Sequence, residues 1–207
     1  MQKLRLALWA AVGVALIVFL ALSSGVLGPG ATRSVQVGSS SSAMQPGTPL
    51  GGAFALIDSA GRPVTESVLR GKPAALFFGF THCPDVCPTT LSDMSSWIER
   101  LGPEAEKMRF VFVTVDPERD TPEVLGNYLS AFSDRIVGIT GEPQAVHAMV
   151  RDYKIVSRKA PLEGGGYTMD HTASVLLLDT AGSFVGTIAR DESRDVALEK
   201  LRRHAAG

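Results

Sequence analysis

At 207 residues with 45% hydrophobic content, the chain is long enough for one ordinary domain with a real core plus an appendage. Its formal net charge is -1 and it has no basic block, which excludes the electrostatic footprint of a nucleic-acid binder.

The first informative stretch is N-terminal. Lys3 and Arg5 precede a run from Leu6 to Leu22 without a charged residue. A spanning helix wants about 20 apolar residues and a signal-peptide core about 7–15, so the run is nearer an anchor. Ala21-Leu22-Ser23 is a poor cleavage site, and no cysteine follows to accept lipid. The expectation is therefore one uncleaved transmembrane helix within residues 1–27, with Lys3 and Arg5 on the cytoplasmic side and the rest exported. Residues 28–49 are rich in Gly, Ser and Pro, with four serines in a row at Ser39–Ser42, and read as a flexible tether. The domain is expected over residues 50–207.

Within it, Phe54–Asp58 reads as a strand, Ser59–Arg62 as a turn and Pro63-Val64 as the return of a short hairpin. Thr65–Arg70 is a brief helical or turn segment. Ala74–Phe80 is an apolar, Phe-rich run fit for a buried strand, and it runs into a Pro-punctuated turn holding the only two cysteines, Cys83 and Cys87. Pro88 suits the first position of a helix whose buried face is Leu91, Met94, Ile98 and Leu101. Arg109–Val115 predicts a strand buried on both faces. Thr121 predicts a helix cap with Pro122 at the first position and Val124, Leu125, Tyr128, Leu129 and Phe132 facing inward. Ile136–Ile139 is a third short strand and Pro143–Tyr153 a further helix. Lys154–Asp170, with three glycines at 164–166 and no apolar periodicity, reads as an exposed, mobile loop. Ala173–Leu178 and Phe184–Ile188 flank the hairpin signal Asp179-Thr-Ala-Gly182, and an amphipathic helix closes the chain from Ser193 to Arg203. Strand and helix alternate in the α/β manner, and the order is that of a thioredoxin-like fold with an added N-terminal β-hairpin.

The chemistry centres on Cys83 and Cys87. Both sulfurs are expected at a helix N-terminus, where the dipole and free N–H groups favour an anion and lower a thiol's pKa. One helical turn apart, they can close a disulfide or converge on a metal ion. In an oxidising compartment a disulfide is the default, yet so small a loop makes a weak staple, and exchange chemistry or metal capture suits the pair better. Three intervening residues depart from the C-x-x-C redox motif. Cys87-Pro-Thr-Thr is similar to the peroxidatic loop of peroxiredoxins, but Pro84 stands where that family has its Thr.

For a metal, soft thiolates with imidazole favour Cu or Zn. Of the four histidines, His82 is expected to point away from the thiols, and His147 and His204 sit in helices with no distinguishing context. His171 lies at the end of the glycine loop, just ahead of a strand. If the sheet carries that loop over the cysteines, a Cys₂His site forms.

Three blocks together resemble the signature blocks of the SCO/SenC family: Gly79-Phe-Thr-His-Cys83-Pro-Asp-Val-Cys87-Pro, Thr114-Val-Asp116-Pro-Glu-Arg-Asp120-Thr-Pro122, and Asp170-His171-Thr172. The resemblance covers the domain from about Leu50 onward, with the blocks in order. It implies a membrane-anchored, thioredoxin-like copper protein that helps assemble the binuclear copper site in subunit II of cytochrome c oxidase. Cys83, Cys87 and His171 match the family's ligands for Cu(I) or Cu(II), and the two cysteines also match its redox-active dithiol. The implied partners are that subunit, other periplasmic copper chaperones and thiol reductases. The implied location is the inner membrane, with the C-terminal domain in the periplasm or another extracytoplasmic space. A function of a different class uses the same cysteines: a thiol-disulfide reductase acting on exported cysteine pairs without metal transfer. His171 separates the two, because exchange needs no third ligand. Asp170 is expected either to orient His171 or to be a solvated loop residue, and Asp116 and Asp120 to cap a helix and brace the cysteine loop.

Overall fold

The computed structural model describes residues 45–206 and the single position Phe19. The expected anchor at 1–27 and the tether up to 44 lie, Phe19 apart, outside the described residues. Among the described residues no helix is long and apolar enough to cross a membrane.

The core is organised around β4 (Ala74–Gly79), all six of whose residues are buried. It runs parallel to β5 (Arg109–Thr114), from Ala74↔Arg109 to Gly79↔Thr114, and β5 runs parallel to β6 (Ile136–Thr140). On its other side β4 is antiparallel to β9 (Val175–Leu178), which forms a hairpin with β10 (Ser183–Ile188). Strands covered on both faces have no polar alternation, which is why β4, β5 and β9 read as nearly continuous runs of Val, Leu, Phe and Ala. The expected N-terminal hairpin is present as β2 (Ala55–Asp58) and β3 (Pro63–Thr65), added beyond β6 through Ile57↔Thr140. A two-residue β1 (Thr48–Pro49) pairs with β10 at the opposite edge, so the sheet begins two residues ahead of the expected domain start at Leu50. The eight-stranded order is β1-β10-β9-β4-β5-β6-β2-β3, a thioredoxin-like α/β fold with additions at both edges.

The connections follow the sequence closely, with three differences. Helix α1 spans Val86–Leu101, so Pro88 is its third residue rather than its first and Cys87 lies inside the first turn. Proline is tolerated there because the first four N–H groups of a helix have no partner within it. Helix α2 (Pro122–Ser130) is capped by Thr121, whose hydroxyl accepts from Val124 N, and it buries Leu125 and Leu129, while Val124 is 38% exposed. Helix α3 covers Pro143–Asp152.

The third difference concerns residues 154–170. They hold a separate two-stranded antiparallel sheet, β7 (Ser157–Pro161) with β8 (Tyr167–His171), paired from Ser157↔His171 to Pro161↔Tyr167. Gly164, Gly165 and Gly166 make the tip, all at positive φ, where a Cβ would be strained. Of the ten strand residues only Met169 is buried. A strand pair that contributes one side chain to the core leaves no hydrophobic period in its sequence. His171 is therefore the last residue of a strand rather than part of a loop.

Helix α4 (Arg194–Ala205), capped by Ser193, buries Ala197, Leu198 and Leu201 and packs against α1, and its last turn is tied to the end of β9 by His204, whose Nε2 is 2.8 Å from Leu178 O. Burial holds the His204 imidazole below its ordinary pKa, against the raising effect of that carbonyl. An unfolded chain then takes up the proton first, so the stability this group supports is complete above about pH 6.5 and is lost as the pH falls below it. Urea unfolding of the wild type between pH 7 and pH 5 is expected to show this decline. His204→Gln, which keeps an N–H for Leu178 O, is expected to make the decline shallower, the remainder coming from His171, whose pKa burial also lowers.

Candidate metal centre

The end of β4 delivers the dithiol. After Gly79 the chain turns at Phe80, Cys83 N donates to Phe80 O (3.4 Å), and Cys87 N at the start of α1 donates to Cys83 Sγ (3.4 Å). Cys83 is half-buried and Cys87 fully buried, both as free thiols. His171 reaches them from the end of β8, with Nε2 3.5 Å from Cys87 Sγ. Its ring meets Phe80 edge-on (5.8 Å, 89°) and Phe77 at 6.2 Å and 61°. Phe77 and Phe80 are the buried end of the same apolar run that carries the cysteines.

The protonation states follow from the contacts. His171 Nδ1 is 2.9 Å from Thr172 O, which fixes the proton on Nδ1 and leaves the Nε2 lone pair facing the sulfurs. Burial depresses the His171 pKa, so the imidazole is neutral and ready to ligate. Cys87 departs from expectation here. Burial pushes the Cys87 thiol far up, against the lowering by a hydrogen bond from the Phe80 backbone, and desolvation thus outweighs the helix N-terminus that sequence reasoning invoked.

Cys83, Cys87 and His171 form a group whose three donor atoms lie within 4.8 Å of one another. An ion about 2.3 Å from sulfur and about 2.0 Å from nitrogen spaces the two donors roughly 3.5 Å apart at a tetrahedral angle. The contact between Cys87 and His171 has that length. Two sulfurs and one imidazole are a soft donor set. A cation there also supplies the charge that a buried thiolate lacks, which is the physical reason such thiols lose their protons on metal binding.

Asp120 braces the thiol-bearing turn. Fully buried, it accepts from Thr81 N (3.1 Å), Thr81 Oγ1 (2.6 Å) and Thr114 Oγ1 (2.6 Å), and its own carbonyl accepts from Thr140 Oγ1 (2.7 Å). Burial raises its pKa against these hydrogen bonds. The loop-bracing role expected of Asp120 is present, while the cap of α2 is Thr121. Asp116 accepts from Arg119 Nε and from Tyr167 Oη (2.9 Å). Asp170 does not orient His171; it is half-exposed and pairs with Arg158 (2.8 Å) across the small sheet. His82 is exposed, with Nδ1 3.0 Å from Thr81 Oγ1, His147 lies on α3, and His204 holds α4, so none of the three joins the donor group.

Gly79 was not singled out by sequence reasoning, and its role is steric. A Cβ there would lie 2.8 Å from Phe112 Cε2 and 2.9 Å from Cys87 Sγ, so only glycine lets α1 bring Cys87 over the strand end. Gly79→Ala is expected to destabilise the fold by about 1–3 kcal/mol through overpacking and to displace Cys87. Chemical denaturation together with a metal-binding titration of the variant reads both effects.

The sequence and the fold have counterparts among known proteins. The SCO1/SenC family model matches residues 42–206. The curated protein "Protein SCO2, mitochondrial" of Saccharomyces cerevisiae is 38% identical over 156 residues, covering 74% of this chain and 52% of its own length. The chain thus spans about half the length of that relative. The structure of Bradyrhizobium japonicum ScoI with copper bound is 42% identical with a TM-score of 0.70, over 75% of this chain and 99% of that one. The fold extends to BsSco, a member of the Sco family of cytochrome c oxidase assembly proteins, at 21% identity and a TM-score of 0.64, over 78% of this chain and 96% of that one.

Proposed function

This chain belongs to the SCO1/SenC family, and from that premise we propose that it is a copper-binding assembly factor for cytochrome c oxidase. Cys83, Cys87 and His171 hold one copper ion and pass it to the binuclear copper site of subunit II. The N-terminal segment anchors the domain to the inner membrane, with the copper site on the periplasmic side. The observation that carries this reading is the convergence of two sulfurs and one imidazole nitrogen within 4.8 Å at the end of β4. The copper-bound ScoI of Bradyrhizobium japonicum, at 42% identity, supports copper over zinc.

The mechanism follows from the donors. Binding Cu(I) displaces one proton from each thiol to solvent and takes the Nε2 lone pair that Thr172 O leaves free. Release proceeds by ligand exchange. Cys83 is the half-buried sulfur and Cys87 the buried one, so an acceptor thiolate approaches from the Cys83 side while Cys87 and His171 still hold the ion.

The alternative is a thiol-disulfide reductase using the same asymmetry. Cys83 as thiolate attacks a substrate disulfide and expels one substrate thiolate; Cys87 then resolves the mixed disulfide. The products are a Cys83–Cys87 disulfide and a substrate dithiol. This route asks Cys87 to become a nucleophile while burial holds its proton on, whereas a bound cation removes that obstacle. Copper handling is therefore the preferred reading.

The test is a titration of the reduced, detergent-solubilised chain with Cu(I) and Cu(II) against competing chelators while free thiols are counted. One copper per chain with both thiols masked is expected, and His171→Ala should weaken binding by about 10-fold or more, as loss of a metal ligand or its support does. Copper binding that is weak in the wild type or unaffected by His171→Ala, beside rapid exchange with a disulfide substrate, would overturn the proposal in favour of the reductase.

A further inference from the structure

The hairpin that carries His171 is not part of the main sheet. An isolated two-stranded pair is marginally stable in water, and only Met169 ties this one into the core by burial. Something else must fix it if His171 is to stay 3.5 Å from Cys87.

The fixing contacts lie at the far end of β8. Tyr167 is four residues from His171, roughly 13 Å along a strand. The Arg119 guanidinium lies 3.9 Å from the Tyr167 ring centroid, and its Nη1 donates to Tyr167 O at 3.1 Å. The Tyr167 hydroxyl donates to Asp116 Oδ1 at 2.9 Å, and Asp116 Oδ2 accepts from Arg119 Nε, which closes a ring of contacts between the hairpin and the turn after β5. Lys159 adds a second cation 4.5 Å from the same ring and is itself held by Glu118 Oε2 at 2.6 Å. Arg119 also lies 5.9 Å from the Phe80 ring, the ring that meets His171 edge-on. Its Nη2 is buried without a hydrogen-bond partner among the described residues, so the aromatic faces are what compensate that part of the guanidinium.

The same turn, Asp116 to Asp120, braces the dithiol through Asp120 and Thr81. One turn therefore holds the two halves of the site by separate attachments. We propose that Arg119 and Tyr167 form a clasp that positions His171 over the dithiol, so that loosening it withdraws the third ligand while leaving Cys83 and Cys87 in place. They are positioning residues; neither belongs to the donor group. The proposal rests on the copper reading above.

The test uses the full chain carrying Tyr167→Ala, Tyr167→Phe, Arg119→Met or Arg119→Lys. In the metal-free protein, Tyr167→Ala and Arg119→Met should speed amide hydrogen exchange in the β7/β8 hairpin by about 10-fold and leave β4 and β5 unchanged, since local opening is independent of global unfolding. The same variants should weaken copper binding by about 10-fold, the scale of a lost supporting contact, with the thiol-disulfide exchange rate of the cysteine pair unaltered. Tyr167→Phe, which keeps the ring, should retain most of the affinity. Arg119→Lys, which keeps the charge but not the planar fork, should not.

Unchanged hairpin exchange and copper affinity in Tyr167→Ala would overturn the clasp, as would equal acceleration in β4 and β5, which would mark a general loss of stability. If His171→Ala itself leaves copper affinity intact, the functional reading fails. If His171→Ala weakens binding and Tyr167→Ala does not, the clasp alone fails.

Discussion

The buried carboxylate of Asp120 ties strand ends to the loop that carries the thiols. It accepts from the end of β5 through Thr114 and from the cysteine turn through both the amide and the hydroxyl of Thr81, while its own carbonyl accepts from Thr140 at the end of β6. Losing this acceptor would orphan several donors at once in a place water does not reach. The parallel strands β4, β5 and β6 could be paired without it, but the turn after β4 would have no fixed exit direction. The placement of Cys83, and the entry of α1 with Cys87, follow from that attachment.

The site works by withholding charge. Cys87 sits in an apolar setting that keeps its thiol protonated, and His171 is kept neutral by the same lack of water. A nucleophilic dithiol is ordinarily built the other way, with exposure and nearby positive charge lowering the pKa. Here the apolar setting holds the proton on Cys87, and a soft cation bound at the sulfur supplies the compensating charge. The aromatic walls from Phe77 and Phe80 reinforce this by excluding water from the imidazole face.

Much of this was legible in the chain, for stated reasons. The apolar run Ala74–Gly79 and the Thr121-Pro122 cap are local signals, and local signals survive folding. The position of the cysteines at a strand exit is of the same kind, as is the Asp179–Gly182 turn. What was not legible depends on partners far away in sequence. Residues 154–170 read as a loop because their strands give the core one fully buried side chain, Met169, and so carry no hydrophobic period. The Cys87 thiol read as acidic because the helix N-terminus is local while the desolvation that overrides it comes from tertiary packing. Asp170 was an even choice until the opposite strand supplied Arg158. Arg119 gave no signal, since its partner Tyr167 is 48 residues away.

The sheet also has an unusual pair of borders. Its outermost strands, β1 and β3, are two and three residues long, and each includes a proline, Pro49 or Pro63. An edge strand normally offers a row of unpaired N–H and C=O groups to any neighbouring chain, and brevity together with a missing N–H is how natural sheets blunt that template. Eight strands are therefore closed off at both sides against strand-by-strand self-association. A domain that presents its cysteines at the end of β4 is thereby poorly suited to aggregating with copies of itself along its flanks.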